Sequence, residues 1–260
     1  MEYLSKAEQA RIRVLDKKKE REEQGRFIAE GLKICSELLT SSFNIQYAVI
    51  SDDASSTALS LAEEYEQAGI EVCKAGTTAF SRMSDAINPQ DIFAIVEIPE
   101  SSINIPQTFL ALENINDPGN LGTILRSADW FGMKHVILGG NCADPFSPKA
   151  IRASMGSILR VQVHIEKSLS EFLNEWKARF PDGELFGLIV ESNASLKDIH
   201  LLPNAWGLIM GSESHGMSTE TSSCITKPIR IDGAGSAESL NVGIATGIAL
   251  YHCMNVQSGQ

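Results

Sequence analysis

Residues 108–254 alternate short apolar runs with helix-like stretches, and this alternation constrains the fold more than any other feature. Thr108–Leu112, His135–Leu138, Val161–Ile165, Leu185–Val190, Trp206–Met210 and Pro228–Ile231 read as strands. Leu121–Phe131, residues 148–158, Leu169–Phe180 and Ser239–Met254 read as helices. Strands that alternate with helices imply a parallel sheet covered on both faces. Residues 1–100 read as a smaller α/β unit. A charged helix over 5–23 is broken at Gly25, and Phe27-Ile28-Ala29-Glu30-Gly31 opens an apolar-periodic helix. Strands follow at Ile45–Ile50, Ile70–Cys73 and Ile92–Ile98, with a helix over Thr57–Gln67. Pro99 and Pro106 flank a polar stretch, so residues 101–107 are predicted to be a linker between domains 1–100 and 108–260.

The charge balance excludes a uniformly basic nucleic-acid binder. The 260 residues carry 22 Lys/Arg against 33 Asp/Glu, a net charge of −11. The distribution is uneven, because residues 1–26 hold eight Lys/Arg against six Asp/Glu. A phosphate backbone feels such a local patch more than a distant net charge. The alternative for this cluster is a solvated helix face with Glu/Lys pairing. The five cysteines, at 35, 73, 142, 224 and 253, are widely spaced with no C-x-x-C, which predicts reduced thiols and no zinc site. No apolar run approaches the roughly 18 residues of a membrane span, and the N-terminus lacks a secretory apolar core. A cytoplasmic protein is expected.

Three polar loops each follow a predicted strand, the position at which open α/β sheets bind ligands. The first runs Glu113-Asn114-Ile115-Asn116-Asp117-Pro118-Gly119-Asn120-Leu121-Gly122 toward Arg126, with Asp117 or Asn120 as candidate helix caps. The second is Gly211-Ser212-Glu213-Ser214-His215-Gly216. It fails the serine-hydrolase pattern G-x-S-x-G, because position 212 is Ser. The third, Gly233-Ala234-Gly235, begins like a dinucleotide fingerprint, but position 238 is Glu and too little chain follows for the rest of a βαβ unit. No P-loop pattern occurs.

Together the loops resemble the three motifs of the SpoU/TrmH family of SPOUT RNA 2′-O-ribose methyltransferases. The first motif matches as Asn114, Asp117, Pro118, Asn120, Gly122 and Arg126, the second as Gly211, Glu213 and Gly216, and the third as Ser239-Leu240-Asn241-Val242. Lys18-Lys19-x-Arg21, followed by Phe27 to Gly31, resembles the L30e-like substrate-binding domain of a subset of that family. Ser212 and Arg230 depart from its usual Asn and Pro, and Gly233 to Glu238 is slightly longer than usual.

The resemblance implies a SPOUT-type parallel sheet with a C-terminal trefoil knot around 206–254, and an obligate homodimer. It implies S-adenosylmethionine as cofactor, contacted by backbone at Gly211, Ile229 and Leu240. It implies a reaction on a ribose 2′-OH, in large-subunit (23S) rRNA ahead of tRNA, without a metal. By motif position, the residues that carry the reaction are Arg126, Asn120, Glu213, Ser239 and Asn241. Arg126 either clamps a phosphate and stabilises alkoxide character or transiently accepts the proton, although a guanidinium has a pKa above about 12. Asn120 and Glu213 are expected to orient Arg126 or its loop. Ser239 is expected to cap the last helix and, with Asn241, to bind the target nucleotide. Lys17, Lys18, Lys19 and Arg21 are the candidate RNA contacts. The alternative from another class is a non-catalytic RNA-binding or ribosome-assembly factor that keeps the fold.

Overall fold

The computed structural model describes residues 1–86, 88–100, 104–212 and 216–258. Its contacts divide the chain into two compact units, Met1–Glu100 with Phe146–Leu159, and Ser101–Pro145 with Arg160–Gln260.

In the first unit the elements run β1 (Glu2–Tyr3), α1 (Lys6–Arg13), α2 (Lys18–Gln24), β2 (Arg26–Glu30) and α3 (Leu32–Leu38). They continue as β3 (Ile45–Ser51), α4 (Ser56–Gln67), β4 (Val72–Ala75), α5 (Thr77–Met83) and β5 (Ile92–Glu97). The sheet order is β1-β4-β3-β5-β2, with β5 antiparallel to both of its neighbours. The stretch Phe27 to Gly31, expected to open a helix, is strand β2. Phe27 and Ala29 are fully buried while Ile28 and Glu30 are half-buried, a period of two. Gly31 then has φ +118°, which a helix cannot accommodate, so α3 begins only at Leu32. Leu4, Ile12, Leu15, Val49, Phe80 and Phe93 pack in one core of this unit.

The second unit runs β6 (Thr108–Leu112), α6 (Pro118–Trp130) and β7 (His135–Leu138). After the intervening helix α7 (Pro148–Ser154) come β8 (Gln162–Ile165), α8 (Leu169–Arg179), β9 (Glu184–Leu188) and β10 (Trp206–Met210). The chain closes with α9 (Thr219–Ser223), β11 (Lys227–Ile229) and α10 (Val242–Ser258). The six strands form an all-parallel sheet in the order β11-β9-β10-β6-β7-β8. The expected parallel α/β sheet is present. Phe109 meets Phe172 and Trp176 edge-on in the core, and full burial of one such Phe or Leu side chain contributes about 1.5–3 kcal/mol.

Two boundaries differ from the sequence expectation. Helix α7, expected in domain 108–260, packs with the first unit, where the Phe146 ring lies 5.0 Å from that of Phe27 and Arg152 pairs with Asp85 at 2.9 Å. The predicted linker 101–107 is only partly a linker, and residues 101–103 lie outside the described ones. Ile105 packs on the second core, and the Pro106 carbonyl accepts the buried Trp176 indole N–H at 2.8 Å.

Candidate active site

The first loop enters α6 through an Asp cap. Asp117 Oδ1 accepts from the Asn120 backbone N–H at 2.9 Å, and Pro118 occupies the first helical position, where its missing N–H costs nothing. Because α6 begins at Pro118 rather than at Leu121, Arg126 lies on its third turn, not its second. Asn120 and Arg126 are six residues apart, about 9 Å along the axis and roughly 120° apart around it. Among the described residues no hydrogen bond joins Asn120 to Arg126. Arg126 is exposed and forms no hydrogen bond or ion pair among the described residues.

Asn120 instead faces the third motif. Asn241 Nδ2 donates to Asn120 Oδ1 at 2.9 Å, while Asn241 Oδ1 accepts from the N–H groups of Gly243 and Ile244. Asn241 is thus the N-cap of α10, and the expected cap, Ser239, lies exposed in the preceding loop. The reason is register: α10 starts at Val242, so Ser239 is two residues too early to reach its free N–H groups. Helices α6 and α10 approach closely through small residues. A Cβ at Gly243 would lie 3.2 Å from the Thr123 methyl, and one at Gly247 would lie 3.6 Å from Ser127 Oγ. This contact keeps Asn120 and Asn241 within reach of each other.

The second motif begins at the end of β10. A Cβ at Gly211 would lie 2.3 Å from the carbonyl carbon of Gly216, so only glycine permits this turn. Ser212 and Gly216 exchange backbone hydrogen bonds across it, at 3.1 and 2.9 Å. Glu213 lies outside the described residues. The loop leads into α9, whose start is held by a residue the sequence reading did not select, Glu113. Glu113 directly follows β6 and is 8% exposed. Its carboxylate accepts from Ser218 N at 2.7 Å, Ser218 Oγ at 2.9 Å and Thr221 Oγ1 at 2.7 Å. Its own N–H donates to the Met210 carbonyl. One buried carboxylate thereby ties the end of β6, just before the first motif, to the start of α9, just after the second.

The third loop leaves β11 at Ile229, which is buried, and passes Leu240, which is exposed. Arg230 is not free for a phosphate: its guanidinium donates to the Ser192 carbonyl and, at 3.1 Å, to Asp232. Asp232 also accepts from Ser195 Oγ at 2.8 Å and pairs with Lys197 at 2.7 Å. The Lys197 ammonium and the Ser195 hydroxyl, aided by Arg230, pull the Asp232 carboxyl down to about 2. A depressed folded-state pKa contributes stability above the unfolded value near 3.9, and that stability is lost as pH falls through about 2. In acid titrations of stability, Asp232→Asn is expected to flatten the limb between these two pH values. An unchanged limb would mean that the cluster is solvated and inert.

Ile229 lines a pocket of about 790 Å³ with Phe186, Ser192, Ala194 and Ser195, but Gly211 and Leu240 do not line it. What brings Gly211 and Ile229 to one edge is the sheet itself. β11, β9, β10 and β6 are consecutive neighbours, so their carboxyl ends lie side by side.

In the first unit the predicted basic cluster is mostly engaged internally. Arg21 is 2% exposed and donates to the carbonyls of Leu15 and Asp16 at 2.6 and 2.8 Å, so it is a structural tie and not an RNA contact. These carbonyls lie just past the end of α1, where an Arg is a favoured partner. Lys18 and Lys19 pair with Glu22 and Glu23 at i,i+4, at 3.7 and 3.6 Å, and remain exposed, as does Lys17.

A SpoU rRNA methylase family model matches residues 107–251, and an MRM3-like substrate-binding domain model matches residues 10–94. The 23S rRNA (guanosine(2553)-2′-O)-methyltransferase RlmP of Bacillus subtilis is 29% identical over 92% of this chain and 92% of its own. An AdoMet-bound rRNA methyltransferase from Sinorhizobium meliloti has a TM-score of 0.85 and 30% identity, covering 99% of this chain and 97% of that one. A TrmH-family structure from Porphyromonas gingivalis has a TM-score of 0.84 and 33% identity, covering 96% and 97%.

Proposed function

Since the chain belongs to the SpoU rRNA methylase family, we propose that it methylates a ribose 2′-OH of 23S rRNA with S-adenosylmethionine as methyl donor. The observation that carries this reading is the Asn120–Asn241 bond. It joins the first and third motifs at the starts of α6 and α10, and the Arg126 guanidinium on α6 has no partner among the described residues.

The cofactor reading is supported by the sheet: Gly211, closed tightly against the Gly216 backbone, ends β10 beside the carboxyl ends of β9 and β11. Backbone at Gly211, Ile229 and Leu240 would hold the cofactor. When bound, it supplies a sulfonium methyl as the electrophile. The chain must orient the ribose and manage one proton. Arg126 is the group for that task, either as a bidentate clamp on the adjacent phosphate that stabilises alkoxide character, or as a transient acceptor once desolvated. Asn241 and Ser239 then contact the target nucleotide at the start of α10, with Glu213 ordering the second loop. Lys17, Lys18 and Lys19 supply RNA-backbone contacts, and the setting is cytoplasmic.

Three finer features belong to the same reading. The chain from Trp206 to Ser258 ties a trefoil knot, and the return of β11 to the far edge beyond β9 before α10 reaches α6 supports that path. The first unit is L30e-like. The enzyme is a homodimer, supported by Ile244, Ile248 and Tyr251, which stay exposed along one stripe of α10 while its other side is buried. Ile248→Asp is expected to convert the dimer to monomer in light-scattering chromatography. A monomeric wild type would refute the dimer.

The test of function is nucleoside mass spectrometry on 23S rRNA incubated with the pure protein and S-adenosylmethionine. One new 2′-O-methylnucleoside, absent with Arg126→Ala, is expected. RNA binding without methylation would favour the non-catalytic alternative.

A further inference from the structure

The first unit holds a pocket of about 130 Å³ that no residue of the three motifs touches. Its apolar lining is Ile28, Met83, Pro148 and Ile151, with Met83 and Ile151 buried. Its exposed lining includes Arg13 at the end of α1, Asp16 just beyond it and Arg82 at the end of α5. Of the other charged groups around it, Arg152 and Asp85 form an ion pair at 2.9 Å, and the Glu30 carboxylate is held by neutral donors, the Ser84 hydroxyl and the Gln90 N–H. The side chains of Arg13, Asp16 and Arg82 form no hydrogen bond or ion pair among the described residues.

We propose that this pocket receives one unstacked nucleotide of the RNA substrate, its base on the aliphatic floor and its phosphate against Arg13 and Arg82. The proposal rests on the reading of the chain as an RNA methyltransferase. Three observations support it. The pocket is far smaller than the roughly 300–1,000 Å³ of sites for drug-sized ligands, which suits a single base. Two unpaired guanidiniums stand beside an apolar surface, and RNA loops are recognised by splaying bases onto such surfaces and arginine planes. Asp16 supplies a free carboxylate, an acceptor for base N–H groups that a site for phosphate alone would not carry.

The experiment is filter binding of full-length protein to transcribed 23S rRNA over a salt series. The double variant Arg13→Ala/Arg82→Ala is expected to bind roughly tenfold more weakly, with a log–log salt slope lower by about 0.7, the value of one single-strand phosphate. Its unfolding curve is expected to match wild type, because neither side chain bonds internally. Asp16→Asn is expected to weaken binding severalfold. If it strengthens binding, the carboxylate merely repels phosphate and the base pocket is refuted. If wild type methylates the RNA and the double variant matches it in affinity and slope, the pocket is overturned while the enzymatic reading stands. A wild type that binds no RNA overturns both.

Discussion

Arg126→Lys should lower the methyl-transfer rate constant roughly 10²- to 10³-fold, the range seen when one preorganised donor is removed from a developing charge. The expectation follows from its isolation. Arg126 is exposed on the third turn of α6 with no partner among the described residues, so the substitution breaks no bond that these make. Lysine keeps the charge but not the planar fork that grips a phosphate with two parallel bonds. Single-turnover kinetics with saturating S-adenosylmethionine would measure the loss, and calorimetry should show cofactor affinity unchanged. Near-normal turnover would remove Arg126 from both versions of the chemistry.

Glu113→Gln should lower stability by about 2–4 kcal/mol and weaken cofactor binding at the same time. The carboxylate is buried and accepts three hydrogen bonds from the start of α9. Bonds to a charged acceptor contribute about 1.5–3 kcal/mol each, and an amide turns one acceptor oxygen into a donor facing other donors. Because α9 follows the Gly211–Gly216 turn, slack at Ser218 passes directly into the second motif. Denaturant midpoints and cofactor titration give the two readouts. A variant that loses stability yet binds the cofactor with wild-type affinity would make Glu113 a strut for α9 only.

The sheet of the second unit was legible because its central strands are buried on both faces and read as unbroken apolar runs, as in Thr108–Leu112 and Trp206–Met210. Strand β2 was misread because Phe27 and Ala29 are followed by apolar residues at helical spacing in α3, so one short window fitted both periods. Strand β1 has two residues and exists only through its pairing with β4, and the short helix α5 offered too few turns to be noticed. Arg21 looked like part of a basic patch, and only the position of the Leu15 and Asp16 carbonyls decides otherwise. Glu113 did leave a signal. An acidic residue next to a wholly apolar strand must find donors, and Ser218 and Thr221, one helical turn apart, were the polar pair able to supply them. The Asn120–Asn241 contact spans 121 positions and follows only from how α6 and α10 pack.

The placement of Phe146–Leu159 in the first unit bears on how such a chain is inherited. The backbone passes between the units at three points, not one. No single recombination event can therefore exchange the substrate-binding unit for another. A crossover near residue 100 would leave the Phe27 ring without Phe146, and would strand α7 on a partner that lacks its seat. New RNA specificity in this lineage is thus expected to arise by point substitution on the existing unit, with residues 146–159 changing in concert with it.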